Sequence, residues 1–126
     1  MVEMEYSDRE DRKLLAHGKH KKHDFFVISL GTHPCAYVQI DGKYPKHLAE
    51  GVYCHGGVTY HENYLILPDG KIEGEFIGWD YAHCGDYIGY CDSFCIGDEP
   101  LKQYTTSEMI ADCINVINRL TEGRYE

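Results

Sequence analysis

The chain has 126 residues, 43% of them hydrophobic, enough for one domain with its own core and too apolar for a disordered chain. A formal net charge of -9 argues against general nucleic-acid binding through phosphate contacts. No apolar run approaches the roughly 20 residues that span a bilayer, and the opening Met1-Val2-Glu3-Met4-Glu5 lacks the regions of a signal peptide. The expectation is a cytoplasmic, non-membrane protein forming a single domain over residues 1–126.

Ser7-Asp8-Arg9-Glu10 has capping-box spacing and precedes Leu14, Leu15 and Ala16, which predicts a short helix over 8–16 ending before Gly18. His17-Gly18-Lys19-His20-Lys21-Lys22-His23 is read as a solvated basic connector, because interleaved Lys repels a cation and Gly breaks a helix. A β-rich region is expected over 25–101. It starts with a hairpin of Phe25–Leu30 and Cys35–Ile40, closed by the turn Asp41-Gly42. A connection with room for one helical turn follows to Gly51, then a short strand Val52–His55 that meets the bend Gly56-Gly57. Tyr64–Leu67 and Ile72–Trp79 flank Pro68-Asp69-Gly70-Lys71, a second hairpin. Thr105-Thr106-Ser107-Glu108 is another capping box, and Met109, Ile110, Cys113, Ile114, Ile117 and Leu120 recur at helical spacing to Gly123. A helix over 106–121 is predicted to cover one face of an antiparallel, hairpin-built sheet, an α+β fold.

Six Cys without an export signal read as mostly buried thiols. No Cys-x-x-Cys pair occurs, so Cys91 and Cys95, with His83 or Cys84, are only loose zinc candidates. From His47 to Leu101 the only Lys or Arg is Lys71, against Glu50, Glu62, Asp69, Glu73, Glu75, Asp80, Asp86, Asp92, Asp98 and Glu99. The central stretch is electronegative.

Two polar motifs lie in that stretch, His55-Gly56-Gly57-Val58-Thr59-Tyr60 and Gly78-Trp79-Asp80-Tyr81-Ala82-His83-Cys84-Gly85-Asp86. His55, Asp80, His83 and Asp86 can move protons, and Asp80, His83 and Asp86 carry a mixed oxygen and nitrogen donor set suited to a divalent metal ion. The competing reading is plain: Asp80 caps a turn, His83 is a hydrogen-bonded wall residue, and Gly85-Asp86 shapes a loop. Trp79, Tyr81, Tyr87 and Tyr60 are core or pocket lining, and beside the polar group they could stack on a planar ligand. An anionic ligand would need a metal, an amide concavity at Gly56-Gly57 or Gly85, or Lys19, Lys21, Lys22 or a second subunit reaching in.

These motifs resemble the signature of a family of short, uncharacterised bacteriophage and bacterial proteins, His-Gly-Gly-Leu-Thr-Tyr/Phe followed by Gly-Phe-Asp-Cys-Ala-His-x-Gly-Asp. The likeness extends to Cys35-Ala36-Tyr37-Val38 and to the helix opening Thr106-Ser107-Glu108, covering roughly residues 25 to 120. Lys43-Tyr44-Pro45 stands where the family has Gly-His-Pro, and Trp79 and Tyr81 replace Phe and Cys, which argues against a metal-binding thiol at 81. The resemblance implies that His55, Asp80, His83 and Asp86 form a common site in a phage-like setting, and it implies no reaction.

Two functions follow as expectations. One is a small hydrolase, with or without a divalent metal, acting on a phosphorylated or nucleotide-like molecule. Catalysis would fall to His55, Asp80, His83 and Asp86, and ligand contact to Gly56, Gly57, Thr59, Tyr60, Trp79 and Tyr81. The other is a non-catalytic module that sequesters a nucleotide signal or blocks a host defence protein. A homo-oligomer is compatible with either, since a small domain with an incompletely covered sheet often dimerises.

Overall fold

A computed structural model describes residues 13–30, 33–81 and 105–123. Its first element corrects the sequence reading. Residues 13 to 16 belong to a strand, β1 (Lys13–His20), while residues 8–12 of the expected helix lie outside the described residues. β1 pairs antiparallel with β2 (His23–Ser29), from Lys13↔Ser29 to His20↔His23. The supposed connector is therefore the end of a hairpin. Lys21 and Lys22 form its two-residue loop with φ of 49° and 70°, the left-handed pair of a type I′ turn, here without the usual Asn or Gly. Gly18 is a seat for a ring, not a breaker, since a Cβ there would come within 2.5 Å of the Phe25 side chain opposite it. His23 is buried at 2% exposure. Its Nδ1 lies 3.0 Å from the Gln39 carbonyl, which can only accept, so Nδ1 is the donor; Nε2 lies 2.7 Å from the Tyr44 hydroxyl.

β2 and β3 (Pro34–Gln39) form the expected hairpin, followed by a turn at Asp41 and Gly42 with φ of 46° and 74°. Helix α1 (Lys46–Gly51) leads to β4 (Tyr60–Leu67) and β5 (Gly70–Asp80), the second expected hairpin. β5 pairs with β3, giving an antiparallel sheet of order β1-β2-β3-β5-β4. Helix α2 (Thr106–Thr121) has the expected bounds and the Thr105–Glu108 capping box. The architecture is α+β.

Alternation sorts the strands into two apolar faces. Phe25, Val27, Ala36, Val38, Ile77 and Trp79 share one cluster with Leu48, Ala49 and Val52 and with Met109, Cys113, Val116, Ile117 and Leu120 of α2. Phe26, Ile28, Cys35, Tyr37, Leu65 and Phe76 form the cluster of the other face. The expected strand Val52–His55 is absent. Val52 and Cys54 are buried and Tyr53 is exposed, a period of two that resembles a strand, but the segment ends in a turn where Gly57 N–H donates to Cys54 O at 3.1 Å. Gly56 and Gly57, at φ 72° and 86°, supply its left-handed backbone. Cys35, Cys54 and Cys113 are buried free thiols, and burial pushes the Cys54 thiol up to about 12. Among the described residues, no helix is long and apolar enough to cross a membrane.

Candidate functional site

Strand register assembles a cavity on the sheet face opposite α2. Cys35 pairs with Asp80, Tyr37 with Gly78, and Gly78 on its other side with Tyr60. Directly paired residues project to the same face, so Cys35, Tyr37, Tyr60 and Asp80 converge. Gly78 makes this possible. A Cβ there would fall 2.5 Å from the Tyr37 ring and 2.8 Å from Ala36 O, so the missing side chain is the space in which Tyr37 lies. Tyr60 meets Tyr37 edge-on, centroids 5.1 Å apart at 81°, and its hydroxyl donates to Tyr64 O.

The cavity measures about 310 Å³ and is completed by Leu30, His33, Thr59 and Trp79. That volume is at the lower end of small-molecule pockets. Thr59 is fixed by its N–H to Gly78 O at 2.9 Å, and its hydroxyl lies 3.5 Å from Asp80 Oδ2. Among the described residues, Asp80 is the only Asp, Glu, Lys or Arg in the lining. The described wall therefore offers no Lys or Arg to a phosphate, and its carboxylate favours neutral or cationic groups.

Four residues singled out from the motifs, Thr59, Tyr60, Trp79 and Asp80, line this cavity. His55 does not. It stacks on Tyr81, centroids 4.7 Å apart at 18°. Tyr81 belongs to the α2-side cluster, where Trp79 Nε1 donates to the Tyr81 hydroxyl at 3.0 Å and that hydroxyl donates to Asp112 at 2.6 Å. Burial first, then the bond to Asp112, pushes the Tyr81 phenol far up, which keeps it a neutral donor. Gly56 and Gly57 shape the turn after His55. His83 and Asp86 lie outside the described residues, so Asp80 alone of the metal donor set is placed. Among the described residues no group of three His, Cys, Asp or Glu is arranged to hold a metal ion.

His33, Cys35 and Tyr37 are cavity residues that the sequence reading did not select. His33 reads as turn material beside Pro34, and the position of Tyr37 opposite Gly78 is a matter of register. A second polar cluster also went unread. His61 Nδ1 lies 2.6 Å from Glu50 Oε2, and Nε2 lies 2.6 Å from Glu75 Oε2. Glu75 Oε1 accepts from Gly42 N–H at 2.6 Å. With a carboxylate at each ring nitrogen both must donate, which describes an imidazolium. Burial lowers the His61 pKa, but the hydrogen bonds and charges of Glu50 and Glu75 outweigh it and the net shift is upward. The trio ties α1, β4 and β5 together at a place distinct from the cavity lining.

Comparisons with protein-family models, with curated proteins and with solved structures each returned no match. Function is accordingly read from the chemistry of the cavity.

Proposed function

We propose that this protein is a non-catalytic binding module that holds the planar part of a small nucleotide-like molecule in the cavity between β3, β4 and β5. The observation that carries the reading is the wall itself, an aromatic corner of Tyr37 and Tyr60 beside the carboxylate of Asp80, with no Lys or Arg among the described residues of the lining. Aromatic faces retain planar rings whatever their sequence context, and a few placed polar groups fix orientation. Phosphates would remain outside the cavity, near solvent. The phage-like setting implied by the motif resemblance fits a role in sequestering a nucleotide signal.

A hydrolase is the second reading, favoured by one observation: His33 and Asp80 line the same cavity. An imidazole with a neighbouring carboxylate is a general-base arrangement. In that reading His33 stands where His55 was expected, and a divalent ion would draw on Asp80 with His83 and Asp86.

Native mass spectrometry of the purified protein, followed by incubation with a nucleotide panel with and without chelator, separates the two. A retained small molecule, recovered unchanged and insensitive to chelator, supports the binding module. Turnover abolished by Asp80→Asn supports the hydrolase. A protein that retains nothing and binds no member of the panel contradicts both.

A further inference from the structure

We propose that the outer edge of β1 docks an extended acidic segment of a partner protein, which joins the sheet as an added strand. This interaction is independent of the cavity. It rests on an open strand edge and on the charge of the hairpin that carries it.

Among the described residues β1 ends the sheet, with β2 on one side and no strand on the other. His20 pairs with His23 across the two-residue turn at Lys21 and Lys22, so this closing pair is hydrogen-bonded. Backbone groups alternate in direction along a strand. Those of Gly18 therefore face β2, and those of His17 and Lys19 point away from the sheet. N–H and carbonyl groups exposed in this way are what an incoming strand pairs with. The bulge between Leu14 and Ala16 interrupts the ladder, so the regular open edge runs from Ala16 to His20.

Charge selects the partner. The β1–β2 hairpin holds Lys13, Lys19, Lys21 and Lys22 against one acid, Asp24, in a chain of net charge -9. All four Lys are exposed, and among the described residues none of them has an ion pair. Asp24 lies 3.6 Å from His17 Nε2. Lys and a bulge are also devices that keep sheet edges from aggregating. Here they exclude one class of partner, because a second copy laid edge to edge brings two Lys-bearing strands together. Asp or Glu at alternate positions of an incoming strand instead falls opposite Lys19, on the face it shares with His17, and near the two Lys of the turn. Leu14 and Leu15, 45% and 40% exposed, offer an apolar contact beside this edge.

The probe is a capped, fluorophore-labelled peptide of about ten residues, the upper length of an ordinary strand, in which Glu alternates with Val or Thr. It is titrated with the full-length protein by fluorescence anisotropy. Binding is expected at about 0.02 M salt and should weaken about tenfold or more at about 0.5 M, where exposed charges are screened. The same peptide with Lys for Glu should not bind. A version N-methylated at each Glu keeps every side chain but loses the N–H groups that face β1, and should bind about tenfold weaker or worse. Lys19→Glu should weaken the acidic peptide about fivefold or more, the upper scale of one exposed ion pair. Amide exchange followed by NMR should slow at His17 and Lys19 of the wild type when the peptide binds, a readout that needs no variant to fold. If those amides are already slow in the free protein, or slow only as the protein self-associates, this chain fills the edge itself and the proposal is overturned. Equal binding of the N-methylated peptide reduces the contact to charge alone and overturns it too, as does absence of binding at low salt.

Discussion

Replacing His61 by Gln tests the carboxylate–imidazolium–carboxylate trio, because it removes the charge while leaving one amide donor of similar reach. The side chains of His61, Glu50 and Glu75 are 19%, 40% and 23% exposed. The Glu50 arm therefore resembles a surface pair, about 0.5 kcal/mol, and the better shielded Glu75 arm a charge-assisted bond of about 1.5 kcal/mol. The two add to about 2 kcal/mol near pH 6, where His61 is charged. His61 has its folded pKa raised above the ordinary value of 6.5, so its contribution is fully present below 6.5 and is lost as pH rises through the folded value. Urea unfolding of wild type and His61→Gln at pH 6 and pH 9 measures this. Because Gln keeps one donor, the difference in stability should be up to about 2 kcal/mol at the lower pH and should shrink clearly at the higher one. An equal or larger penalty at pH 9 would refute a charged His61, and no penalty at either pH would show that the trio does not hold α1 to the sheet.

Three further outcomes are expected. Gly78→Ala places a Cβ 2.5 Å from the Tyr37 ring; overpacking should cost about 1–3 kcal/mol and weaken ligand binding at the same time, read by thermal unfolding and calorimetry on one preparation. Tyr81→Phe takes the acceptor from Trp79 Nε1 and a donor from Asp112; it should destabilise by about 1–3 kcal/mol, and an unchanged unfolding midpoint would contradict the buried chain. Thr105→Ala removes the side chain that accepts from Glu108 N–H; about 1 kcal/mol should be lost, visible in the denaturant midpoint with unchanged slope.

What the sequence by itself determined are the elements whose signals are local. The bounds of α2 were legible because its capping box and its stripe from Met109 to Leu120 lie within the helix they specify. The β2–β3 and β4–β5 hairpins were legible from β-forming runs bounded by turn residues such as Pro68-Asp69. β1 was not. Leu14-Leu15-Ala16 favours a helix locally, and pairing with β2 overrides that preference by seating Phe25 on Gly18. The turn at Lys21-Lys22 gave no warning, since neither residue is a usual type I′ former.

The site divides the same way. Asp80, Thr59, Tyr60 and Trp79 could be selected from the motifs, yet only the tertiary structure decided what stands beside them. Strand alternation sends neighbouring residues to opposite faces, so Asp80 enters the cavity while Tyr81 joins the α2-side core and takes His55 with it. Tyr37 and Tyr60 meet over Gly78 through pairings between three strands, and His61 finds Glu50 and Glu75 on two other elements. Such neighbours are set by register and packing between segments far apart in the chain, and no local pattern of residues encodes them.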